Sequence, residues 1–75
     1  MTMQTPELRQ GTLKAFDNTA WTATVQLTGS LGQWLTGVPV SRDIGAGDMV
    51  AGRKVAVAQF DPANPGDAVV FAVWV

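Results

Sequence analysis

The chain has no cysteine, no histidine and no tyrosine, and only five basic and six acidic residues among its 75. Without cysteine no disulfide can staple the fold, and without cysteine or histidine the thiolate and imidazole sites of structural zinc cannot be built. The same absences remove the commonest general base, the strongest nucleophile and a phenolic acid. The only serines, Ser30 and Ser41, fall in expected loops, so one copy cannot assemble a serine triad. Asp17, Asp61 and Asp67 sit in turn-like sequence, where aspartate bonds to nearby backbone. Asp61, Asn64 and Asp67 are three residues apart, but the prolines between them break the spacing of a calcium loop. Gly45-Ala46-Gly47 has neither the length nor the lysine of a phosphate-binding loop. The expectation is a protein that is not an enzyme, with no catalytic residues, no metal and no cofactor.

Charge is scarce as well: 15% of residues are charged and 47% hydrophobic, and the formal net charge is -1. Soluble domains usually carry roughly a quarter charged residues, so apolar surface is left uncovered here, which favours an oligomer or a place in a larger assembly. A single domain this short has a marginal core, and with disulfides and zinc excluded, partners are the remaining reinforcement. MTMQTPELRQ lacks the basic start and apolar core of a signal peptide, and no apolar run approaches the roughly 20 residues of a membrane span. The chain therefore reads as soluble and made in the cytoplasm, with no membrane partner.

What is present is strand pattern. From Ala20 to Thr28 the odd positions Trp21, Ala23, Val25 and Leu27 are apolar and the even positions Thr22, Thr24, Gln26 and Thr28 polar, the signature of a half-buried strand. Gly11–Phe16 is a weaker strand, joined to it by Asp17-Asn18-Thr19 as an antiparallel hairpin. After the turn residues Thr28–Gly32, Gln33–Val40 resumes a strand, and Pro39, which cannot donate to a ladder, puts the strand at an edge or ends it there. A glycine-rich connection spans Asp43–Asp48, followed by Met49–Gly52 as a turn of helix or a covering loop. Arg53–Phe60 is a strand with Val55 and Val57 on one face and Ala56, Ala58 and Phe60 on the other. Pro62 and Pro65-Gly66 make the next loop a rigid turn. Five strands with one small gap point to an all-β barrel, residues 11–75, preceded by an arm of residues 1–10.

The last strand, Val69–Val75, has no polar side. Strict alternation places Val69, Phe71, Val73 and Val75 inward and leaves Val70, Ala72 and Trp74 as an outward stripe, the expected interface with another copy. A second surface is weighed for single-stranded nucleic acid: Trp34 with Arg42, Arg53 and Lys54. Three cations offset by Asp43 and Asp48 give little field for phosphates, so nucleic acid is the alternative and not the leading partner. An exposed tryptophan could also serve a sugar as a stacking platform.

The segments GTLKAFD, WTATVQLTGS, VPVSRDI, AGRKVAVAQFD and NPGDAVVFAVW together resemble the small OB-like β-barrel domains of bacteriophage tails, baseplates and spikes. The resemblance covers roughly residues 11–75 and implies a five-stranded antiparallel OB-like barrel, with Gly11 and Gly52 starting strands and Val55, Val57, Val69, Phe71 and Val73 filling the interior. It further implies a structural, virion-associated module, often trimeric, meeting copies of itself and other tail proteins. In that family a β-helical spike often follows the barrel; the end at Val75 leads to the expectation of an isolated module. The resemblance supplies no catalytic residues.

Overall fold

The computed structural model describes residues 7–29, 33–61 and 67–75. Over these the chain is all-β: strands β1 (Glu7–Asp17), β2 (Thr22–Leu27), β3 (Trp34–Pro39), β4 (Lys54–Gln59) and β5 (Ala68–Trp74), with a 3-10 turn at Ala46–Asp48. They form one sheet in the order β3-β2-β1-β4-β5, and every neighbouring pair is antiparallel. The edge position expected for β3 from Pro39 is observed. The turn expected at 28–32 and the proline loop lie partly or largely outside the described residues, as do residues 1–6.

β1 is the centre of the sheet and changes partner along its length. Glu7–Thr12 pair with β4, and Gly11–Asp17 pair with β2, so Gly11 and Thr12 are held on both sides. Gly11 is buried, and a Cβ there would run into Val25 Cγ1 and stand 2.8 Å from the Gln26 carbonyl oxygen. Only glycine permits this approach of β2 to β1. Gly11 therefore lies inside the strand and does not start it, and Glu7–Gln10, expected in the arm, are ladder residues. Gly52 (φ 97) does lie in the turn just before β4.

Three β-bulges shape the sheet. Leu13 pairs with Val25 and Ala15 with Thr24, which leaves Lys14 as the extra residue. Leu35 pairs with Val25 and Val38 with Ala23, and the excess is taken up around Gly37, whose φ of 66 a side chain would resist. Val70 pairs with Val57 and Ala72 with Ala56, so Phe71 is extra in β5. Each bulge turns the following side chains over. Core-facing residues then recur three apart: Leu13 and Phe16, Leu35 and Val38, Val70 and Val73.

This corrects the inside-outside reading of the last strand. Ala68 and Val70 are the inward residues before the bulge and Val73 the one after it. Val70, expected in the outward stripe, is fully buried, whereas Phe71 and Val75, expected inside, are 45% and 93% exposed. Ala72 and Trp74 do lie on the outer face, and Val69 joins them there in place of Val70.

The core gathers Leu13, Val25, Leu27, Val38, Val55, Val57 and Val70 as its fully enclosed members. The sheet curls around it without closing into a barrel: Val40, just past β3, forms an isolated parallel bridge with Val70 of β5, and Ser41 N–H donates to the Val70 carbonyl at 2.8 Å. The connection from β3 to β4 closes one end with buried Ile44 and Met49. Its single turn of helix falls at Ala46–Asp48, ahead of the Met49–Gly52 segment where one was considered.

Candidate assembly face and polar face

The outer side of β1, β4 and β5 is built row by row from the ladder. Leu8, Ala58 and Val69 form one row, Gln10, Ala56 and Ala72 the next, and Thr12, Lys54 and Trp74 a third. Beyond the end of β4, Phe60 N–H donates to the Asp67 carbonyl at 2.9 Å and adds a last row. Leu8, Phe60 and Trp74 are 74%, 50% and 39% exposed, and the alanines and Val69 between them are half-buried. The result is a continuous apolar face on three adjacent strands. Its only charged side chains among the described residues are Lys54 at one end and Asp67 at the other. This face is the candidate site for packing against another surface. Ala56, Ala58 and Phe60 share this face as their alternation predicts, whereas Leu8 was not singled out from sequence, because a partner for β1 upstream of Gly11 was not legible.

The third row continues across the sheet: Thr12 opposes Gln26, and Gln26 opposes Trp34. Trp34 and Trp74 thus stand at the two ends of one row that crosses all five strands, with Gln26, Thr12 and Lys54 between them. Trp34 is 52% exposed, and Lys14, the bulge residue of β1, places its ammonium 5.6 Å from the ring centroid. Such a contact is weak at an exposed site.

The four residues expected to form a nucleic-acid surface are not brought together. Lys54 shares the row with Trp34, but β1 and β2 intervene, a separation of about 14 Å at the usual strand spacing. Arg42 lies over Trp21, 5.1 Å from its ring centroid. Arg53 holds Asp48 in an ion pair at 3.8 Å and donates to the Asp48 carbonyl at 3.1 Å. Lys14 is the cation that does reach Trp34. Nothing in the sequence marks it, since its position depends on the bulge.

The polar turn residues are engaged in structure. Asp17 Oδ1 accepts the N–H groups of Thr19 at 2.8 Å and Ala20 at 3.2 Å, and its carbonyl accepts that of Trp21. Trp21 closes this turn at φ 60, an unusual conformation for a bulky residue. Its ring compensates by packing: it meets Phe16 edge-on at 5.1 Å and donates Nε1–H to the Ser41 carbonyl at 3.3 Å. The Ser41 hydroxyl in turn accepts Asp43 N–H at 3.3 Å. Asp17 and Ser41 are thus fixed by backbone contacts and do not converge on a common point. Among the described residues no three metal-ligating side chains cluster; Asn64 lies outside them. No family model matches the chain, and no curated protein or solved structure was found to match it.

Proposed function

We propose that the chain is a non-enzymatic structural module, an OB-like barrel that self-associates through the outer face of β1, β4 and β5. The observation that carries this reading is the apolar face itself, with Leu8, Phe60, Val69 and Trp74 presented to solvent on a sheet whose other side is already a complete core. The barrel reading is supported by the strand order together with the parallel approach of Val40 to Val70, the way an open five-stranded sheet begins to close. The occupant is a second copy of the chain. The low charge of the sequence and the one charge of each sign on the face favour like meeting like. The setting, a phage or prophage tail-like assembly, rests on the sequence resemblance, which also implies a trimer.

Sedimentation velocity over a micromolar to millimolar series tests this. The face measures about 15 by 20 Å from strand spacing and rise, so two copies would bury about 600 Å² in total, below the roughly 1,000 Å² of a stable specific interface, and the expected association is weak, about 100 μM or weaker. A species that keeps the monomer mass throughout the series would overturn the reading.

The other side of the same row supports a second reading. Trp34, Lys14 and Lys54 share an outer surface with Gln26, Thr12 and Thr24, and no carboxylate of the described residues lies in those rows. A base stacked on Trp34 with phosphates near the two lysines is the ligand this arrangement fits. Fluorescence titration with a short single-stranded oligonucleotide at low salt decides it: quenching lost in Trp34→Ala supports the reading, and no response ends it.

A further inference from the structure

We infer that two copies pair face to face with their strands antiparallel across a two-fold axis, so that Lys54 of each copy meets Asp67 of the other. The inference rests on the self-association reading and specifies its geometry as a two-fold pair in place of the trimer that the resemblance implies.

Lys54 opens β4 and Asp67 immediately precedes β5, so they occupy opposite ends of the apolar face. Both are exposed, and both lie on its outer side, Lys54 opposite Trp74 and Asp67 opposite Phe60. Between them the face presents Ala56, Ala58, Val69 and Ala72, with no charge. Stacked sheets pack with their strands aligned to within about 30° or crossed at near right angles, and the aligned arrangements are the ones that lay one end of this face over an end of the other. A two-fold axis along the strands would set Lys54 against Lys54 and Asp67 against Asp67. An axis across the strands reverses one copy, sets each lysine over the partner's acidic end, and brings the large side chains of each end over those of the other. Lys54 and Asp67 are one strand apart laterally, about 4.8 Å, which a lysine side chain spans. The small alanines in the middle let the two sheets approach, while Trp74 and Phe60 at the ends fill the space that sheet twist opens.

Because each contact occurs twice in such a pair, charge reversal gives a distinctive pattern. Lys54→Glu alone sets carboxylate against carboxylate at both ends, and Asp67→Lys alone sets ammonium against ammonium. Each variant by itself is expected to weaken self-association by about tenfold. An equimolar mixture of the two variants restores both contacts at once and is expected to recover association to within about threefold of the unaltered chain. Sedimentation equilibrium on each variant, on the mixture and on the unaltered chain reads all of this, with circular dichroism melts confirming that both variants fold. Recovery in the mixture, with a two-copy mass, supports the pairing. A chain that assembles but ignores both reversals, fails to recover on mixing, or forms a trimer overturns the antiparallel pair and leaves self-association standing. An unaltered chain that stays monomeric overturns both.

Discussion

Ser41, in the connection that follows β3, is tied to Val70 of β5: the Ser41 N–H donates to the Val70 carbonyl at 2.8 Å, and the Val70 side chain is wholly enclosed beneath that contact. Its neighbour Val69 points the other way, into the outer row with Ala58 and Leu8.

Two adjacent valines therefore have different fates on substitution. Val70→Ala is expected to cost about 2 to 3 kcal/mol through lost burial and the cavity left behind, and Val70→Lys to prevent folding. Val69→Lys is expected to leave the melting curve within about 1 kcal/mol of the unaltered chain while abolishing self-association. Circular dichroism melts beside sedimentation runs separate the two, and equal destabilisation by both lysines would mean that β5 is enclosed on both faces.

Gly11→Ala adds one methyl where Val25 and the Gln26 carbonyl already press on the strand. Backbone cannot retreat as a flexible side chain can, so the expected loss is about 1 to 3 kcal/mol in urea unfolding. No loss would mean that β1 and β2 do not approach there as described.

Trp21 should matter more to stability than the arginine resting on it. Trp21→Phe removes the Nε1 donor to Ser41 and part of the contact with Phe16, at an expected cost of about 1 to 3 kcal/mol. Arg42→Ala removes only an exposed cation over the ring, for about 1 kcal/mol or less. Thermal melts of the two variants rank them, and the reverse order would contradict this account of the turn.

How much of this was legible in the sequence depends on the bulges. β2 has none, and its alternation from Ala23 to Leu27 predicts its buried face residue by residue. The same rule holds for Val55 and Val57 of β4. It fails in β5, because one extra residue at Phe71 reverses every side chain after it, and no local feature of an all-apolar run says where the extra residue sits. The spacing of three between Leu13 and Phe16, Leu35 and Val38, and Val70 and Val73 is the trace the bulges leave, but it becomes readable only once the strand is known. The start of β1 was hidden for another reason. Glu7–Gln10 have little pattern of their own and are ordered by the backbone of β4. That hidden segment carries Leu8, the most exposed member of the apolar face, which periodicity could not show. Trp74 was legible because it lies after the bulge on the face that simple alternation also assigns it.

The central claim is that the outer face of β1, β4 and β5 is where copies of this chain meet. Amide and methyl NMR shifts followed on dilution from millimolar to micromolar concentration test it residue by residue. The account predicts concentration-dependent shifts centred on Leu8, Ala56, Ala58, Val69, Ala72 and Trp74, with Leu13, Val25 and Val55 of the core unmoved. Spectra that do not change on dilution, or changes centred on Trp34 and Gln26 instead, would contradict it.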